Sequence, residues 1–206
     1  MKAAPLLIAS DALPAAPRQA RSIERQRRIL DAARELFAEK GYEATSIDDI
    51  TTAAEAAAGA FYTYFRSKRQ LLIVMMNELL QRLAAVDLRP DTGLRDFLGR
   101  IFETDLQYFG VIRAWQEASL TDASLAAMRE EIESWTQKRI VRVFQLLQKR
   151  PGARPDRDLQ TFARMLDRHF WSLLARGATL TPRALQRELA VAADVIEHYL
   201  SRDHTP

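Results

Sequence analysis

Tyr62 and Lys68 stand close together in the run GAFYTYFRSK, Gly59 to Lys68, and their chemistry is that of phosphate contact. A tyrosine can pack its ring while its hydroxyl reaches a phosphate oxygen. A lysine at a helix N-terminus adds charge where free backbone N–H groups already favour an anion. Phe61 and Phe65 are four apart, so on a helix they share one face and anchor it, with Tyr62 rotated away. A second cationic stretch lies upstream, where Arg18, Arg21, Arg25, Arg27 and Arg28 face a single acid, Glu24. Such an arm can lie along phosphates or enter a minor groove; the plain alternative is a solvated helix start. Catalysis has far less to draw on. The histidines are His169, His198 and His204, none spaced as a metal pair with another His or Glu, and the chain has no cysteine, no GxGxxG and no Walker-type loop. The sequence therefore predicts no catalytic residue, no metal ligand and no cofactor, and not an enzyme.

These side chains need short helices to carry them. Thr45 and Ser46, followed by Asp48 and Asp49, supply an N-cap with carboxylates in the first turn, where the helix dipole favours negative charge. That helix has room for about two turns before a second, from Ala57 to Tyr64, which gives a helix-turn-helix unit. Ahead of it, Ile29, Ala33, Leu36 and Phe37 mark a helix over Ser22–Lys40 that Gly41 ends. Beyond Ser67, a stripe from Leu71 to Val86 predicts about five helical turns closed by Pro90. The rest reads as helices over Leu94–Phe109, Val111–Leu120 and Ala123–Lys149, the last capped by Thr121 and Asp122. After a linker, Arg150–Pro155, come Asp156–Gly177 and Pro182–Ser201, the second opening on Thr181 and a proline.

Composition agrees with an all-α protein. Seven glycines in 206 residues are too few for a fold of many tight turns, and 48% apolar with 28% charged suits one large core or two small ones. The net charge of +3 does not by itself argue for nucleic acid. Residues 1–17, with Pro5, Pro14 and Pro17, are expected to be a disordered tail, with too little charge and apolar length for a secretory signal. No run approaches a membrane span, so no membrane partner and a cytoplasmic location are expected.

The run RILDAARELFAEKGYEATSIDDI, Arg28 to Ile50, together with the stretch through GAFYTYFRSK, resembles the DNA-binding domain of the TetR family of transcriptional regulators. The resemblance extends from Arg28 to Leu72. It implies a DNA-binding domain over residues 18–66 and a helical ligand-binding and dimerisation domain over 67–206. With Arg18 and Arg21 contributed by the basic arm, it puts Thr45, Ser46, Ala57, Ala58, Gly59, Ala60, Tyr62, Tyr64 and Lys68 at DNA. The chain departs from the family at the turn, where Glu55 and Ala56 replace a glycine and a branched apolar residue. Glutamate takes positive φ only under strain. It departs again where Ala57, Ala58 and Ala60 stand in for hydrogen-bonding side chains, leaving thymine-methyl and backbone contacts in place of polar base readout.

The resemblance further implies an effector pocket, for which Phe102, Phe109, Trp115, Trp135 and Phe144 are the candidates, and a homodimer through the last two helices. For that interface the stripe of Leu166, Phe170, Leu173 and Leu174 faces Leu189, Ala193, Ile196 and Tyr199. The function so implied is a ligand-responsive regulator, foremost a repressor. It would bind a palindromic double-stranded DNA operator as a dimer and respond to a largely apolar small molecule. The alternative is a helical ligand-binding or protein-interaction module with a degenerate head; the basic arm argues against it.

Overall fold

The computed structural model describes residues 17, 19–88, 93–177 and 180–201, with the side chain of Ala58 left aside. Of the tail expected over residues 1–17, residues 1–16 lie outside the described residues, as do Arg18, Pro90 and His204. Within them the chain forms α1 (Ala20–Lys40), α2 (Ile47–Ala53), α3 (Ala58–Tyr64), α4 (Lys68–Ala85), α5 (Leu94–Gln107), α6 (Phe109–Ala118), α7 (Ala123–Leu147), α8 (Leu159–Gly177) and α9 (Pro182–Leu200). The one extended pairing among them is an isolated bridge between Ala153 and Ser201. No described helix is long and apolar enough to cross a membrane.

Two compact units result. The first holds α1 to α4, α6 and the first turns of α7; the second holds α5 up to Leu106, the remainder of α7, α8 and α9. The helix-turn-helix thus shares its unit with α4 and α6, and α1 packs chiefly on α6 and α2.

Local chemistry fixes the elements of the first unit. Gly41 ends α1 at φ 87°, a left-handed value that favours glycine. Ser46 and Asp49 form a reciprocal capping box, the Ser46 hydroxyl accepting from the Asp49 amide at 3.0 Å and the Asp49 carboxylate accepting from the Ser46 amide at 2.8 Å. The turn between α2 and α3 runs through Glu55 at φ 49°, the non-glycine residue held at positive φ. Phe61 and Phe65 are fully buried, their rings 5.5 Å apart, and anchor α3 in the core of the first unit, whose other buried residues include Ile29, Phe37, Ile50 and Leu72. Burying each such side chain contributes about 1.5–3 kcal/mol. On α6, Gly110 lets α1 come close: a Cβ there would sit 2.4 Å from the Arg34 carbonyl oxygen and 2.7 Å from the Ala38 amide nitrogen.

In the second unit, α8 begins three residues later than its sequence pattern suggests. The reason is that Asp158 caps it, accepting from the Thr161 amide at 3.0 Å. Thr181 caps α9 by accepting from the Ala184 amide at 3.2 Å, with Pro182 in the first turn. The apolar stripes of these helices turn inward: Leu166, Leu173, Leu174, Leu189, Ala193 and Ile196 are all buried within the single chain. Phe170 packs on Phe102, and Tyr199 stacks on Phe162 at 3.9 Å. The residues expected at a dimer interface are therefore mostly core, and a different face, with Met165, Trp171, Val191 and Val195, is left exposed.

Candidate nucleic-acid interface and ligand cavity

The loop that introduces the helix-turn-helix, Gly41 to Thr45, is gripped by two helices through opposite chemistry. From α6, the Glu117 carboxylate accepts from the amides of Tyr42 at 2.8 Å and Glu43 at 3.1 Å. From α4, the Lys68 ammonium donates to the carbonyls of Tyr42 at 2.7 Å and Thr45 at 2.8 Å, and lies 4.2 Å from the centre of the Tyr42 ring. Burial holds the Lys68 pKa below the usual lysine value, against the opposing pull of Glu43 and Glu117. Lys40 pairs with Asp49 at 2.7 Å, and that pairing, with the two hydrogen bonds from Ser46, holds the Asp49 carboxyl well below the usual range. On the other side of α4, Arg69 reaches Asp122 at 2.6 Å and Ser124 at the start of α7. The Arg69 hydrogen bond, followed by that from the Leu125 amide, lowers the Asp122 pKa to about 2.

On this platform Tyr62 points outward, 62% exposed, its ring meeting the edge of buried Phe61 at 5.5 Å between centres. Ala57 and Gly59 are exposed with it, and a Cβ at Gly59 would meet nothing within 4 Å, so α3 offers bare backbone to a partner. Other expected contacts are spoken for inside the fold. Thr45 is fully buried and donates its hydroxyl to the Gly41 carbonyl at 2.6 Å. Tyr64 is buried, its hydroxyl accepting from Ser22 at 3.1 Å. Ser46 is exposed, but both its amide and its hydroxyl serve the cap. Ala60 is half-buried, and Lys68 is bound as described.

The Ser22–Tyr64 bond brings the first turns of α1 against the end of α3. The arginines expected as an arm are helical from Ala20 onward, and Arg21, Arg25 and Arg28 form one exposed stripe at spacings of four and three. Arg27 is drawn aside by Glu24 at 2.8 Å and Asp31 at 3.4 Å. Arg66, one residue past Phe65, is exposed; its backbone amide donates to the Gln70 side-chain oxygen at 2.7 Å, and its guanidinium has no hydrogen bond or ion pair among the described residues. Its signal in the sequence was a cation directly after the aromatic run.

The aromatic residues nominated for a pocket divide between the units. Phe109 and Trp115 belong to the first, where Trp115 is buried with its indole N–H unpartnered; Phe102, Trp135 and Phe144 belong to the second. The second unit holds a cavity of about 70 Å³, lined by Phe97 and Ile101 of α5, Val143 and Phe144 of α7, Phe170 of α8 and Ile196 of α9, among other apolar residues. Of the five nominees, Phe144 lines it. The polar side chains in its wall are Thr136 and Arg139. In the sequence Arg139 falls on the helical stripe four residues from both Trp135 and Val143, and an arginine on an apolar stripe is the signal that could have marked it as a pocket residue.

Among the described residues the chain is all-helical, with a helix-turn-helix whose short second helix is held by aromatics and exposes one tyrosine, the arrangement by which helical DNA-binding domains present a helix to DNA. Residues 29–75 match the family model described as bacterial regulatory proteins, tetR family. Over this segment the chain is similar to the DNA-binding part of that family. A relative from Bacillus subtilis (strain 168), the uncharacterized HTH-type transcriptional regulator YuxN, is 32% identical over 122 residues, covering 56% of this chain and 40% of the relative. The HTH-type transcriptional repressor Rv1474c of Mycobacterium tuberculosis is 39% identical over 62 residues, 30% of this chain and 33% of that protein. The chain thus spans between a third and two fifths of the length of these relatives. The structure of the ketosteroid transcriptional regulator KstR2 of Mycobacterium tuberculosis is similar with a TM-score of 0.63, over 87% of this chain and 96% of that one. At 19% identity, this last likeness shows the fold alone.

Proposed function

We propose that the chain is a transcriptional repressor that binds a palindromic double-stranded DNA operator as a homodimer. Its affinity for that operator is set by a small molecule held in the cavity of the second unit. Residues 18–66 form the DNA-binding head and 67–206 the ligand-binding and dimerisation part. The observation that carries the reading is the outward face of α3, bearing Tyr62 and the open backbone at Gly59, with the first turns of α1 and their exposed Arg21 and Arg25, which make no side-chain hydrogen bond or ion pair among the described residues, brought to the end of α3. Tyr62, Arg21, Arg25, Arg28 and Arg66 take phosphates, while Ala57, Ala58, Gly59 and Ala60 let α3 approach the base edges closely. The head itself is positioned by Lys68, Glu117, Thr45 and Tyr64, which act within the fold. The name of Rv1474c as a repressor supports the sign of regulation, and that of KstR2 supports a small-molecule input.

For the dimer, the exposed Met165, Val191 and Val195 with Thr161 and His198 line an apolar groove of about 790 Å³ on α8 and α9, which supports these helices as the interface. The competing reading, a head that no longer reads DNA, rests on the alanines at 57, 58 and 60. Selection of binding sites from random duplexes, followed by fluorescence anisotropy of the wild type and Tyr62→Ala, separates the two. A repressor yields an enriched palindrome and a variant weaker on every sequence. Recovery of no sequence above the starting pool would leave the competing reading.

A further inference from the structure

We infer that the cavity of the second unit takes a small carboxylate, whose short apolar body fills the space among Phe97, Phe144 and Phe170 and whose charged head is held by the Arg139 guanidinium with help from the Thr136 hydroxyl. This rests on reading that cavity as the effector site. A guanidinium is costly to withdraw from water, and it is tolerated where its donors are taken up by an acid in matching geometry. Within the chain, Arg139 meets that condition poorly. One of its five N–H donors goes to the Val86 carbonyl at 2.8 Å, and its guanidinium carbon lies 5.6 Å from the centre of the Trp135 ring. Asp105 and Asp87 act on it through space, and no hydrogen bond joins either carboxylate to the guanidinium among the described residues. Burial pushes the Asp105 carboxyl up to about 7, so near neutral pH it leaves the arginine only partly neutralised.

The surplus donors belong to a residue that lines a space otherwise walled by aromatic and aliphatic carbon. A carboxylate matches the fork of an arginine with two parallel hydrogen bonds. Thr136, three residues earlier on α7, adds a hydroxyl to the same wall. The volume of about 70 Å³ is roughly half of the ~150 Å³ that accommodate a benzene ring, which limits the body to a short or branched aliphatic chain.

The test uses the full-length chain with butanoate and 3-methylbutanoate as probes, each against its neutral, isosteric amide, with affinities from calorimetry or ligand-observed NMR. The acids should bind at least about tenfold tighter than the amides, the preference expected of charge-assisted bonds. In Arg139→Met, which keeps length and apolar packing, the preference should fall to about one while circular dichroism shows an intact fold. If Arg139→Met does not fold, Arg139→Lys takes its place, keeping the charge but losing the fork, and the acid preference should still drop. Equal binding of acid and amide to the wild type, no binding of either, or a preference that survives both substitutions would each overturn the inference. Operator affinity is measured in parallel. Acids that bind through Arg139 without changing operator affinity would sink the effector reading alone; amides that bind as well as acids and do change it would sink only the carboxylate.

Discussion

Glu55 shows how much a single backbone angle costs this fold. At φ 49° it occupies the left-handed region, where an L side chain is crowded by about 1–2 kcal/mol, and its own side chain is exposed. Glu55→Gly should therefore raise stability by about 0.5–1 kcal/mol, the relief being offset in part by the greater freedom of glycine in the unfolded chain. Urea unfolding checks it, and a lower midpoint would mean that the turn is not strained. The cations divide by the same logic. Among the described residues the Arg66 guanidinium has no hydrogen bond or ion pair, whereas Lys68 holds two carbonyls. Arg66→Ala should reduce the slope of log K against log salt by about 0.9, the amount for one phosphate. Lys68→Met should instead lower stability and leave the slope nearly unchanged; a matching loss of slope would return Lys68 to the DNA.

Among the elements, the contact of α1 with α6 has the least tolerance. Gly110 is buried there, and an added Cβ would meet backbone atoms of Arg34 and Ala38, which cannot rotate out of the way. Gly110→Ala should cost about 1–3 kcal/mol by overpacking, read as a lowered thermal midpoint, and should displace the loop that Glu117 holds from α6. The pairing of α5 with α7 sets a pH dependence. Burial, opposed by Arg139, raises the Asp105 pKa from the ordinary 3.8 to about 7. The folded chain then binds this proton more tightly than the unfolded chain does, so the contribution is fully present below about pH 4 and is lost as pH rises through 7. Stability should fall across that window by about 1.4 kcal/mol per unit of pKa difference at most. Asp105→Asn should flatten the profile between pH 4 and 8 in urea titrations.

At the scale of the whole molecule, two heads read a palindrome only when their separation is fixed near one DNA turn, roughly 34 Å. The proposed interface for that purpose is the exposed face of α8 and α9. Val191 and Val195 lie one turn apart on α9 and are 61% and 45% exposed, so charges placed there leave the core intact. The pair Val191→Arg and Val195→Arg should convert a dimer into a folded monomer in sedimentation velocity, with operator affinity lost in step. A double variant that still sediments as a dimer would move the interface elsewhere.

The sequence by itself determined what local chemistry dictates. Helix periodicity, the Ser46 and Thr181 caps, Gly41 at the end of α1 and the shared face of Phe61 and Phe65 each depend on residues within a few positions of one another, so the all-helical fold and the helix-turn-helix were legible in one dimension. The long-range partners were not. Thr45, Tyr64 and Lys68 carry groups fit for phosphate, and which of them face solvent depends on Ser22, Tyr42 and Gly41 coming together in space. The helices α8 and α9 are apolar on more than one face, so a periodic stripe could not say which face the chain would bury itself and which it would leave exposed. Arg139 was visible as a letter on an apolar stripe, but its role depends on a cavity built by α5, α7, α8 and α9, and only tertiary packing makes a cavity.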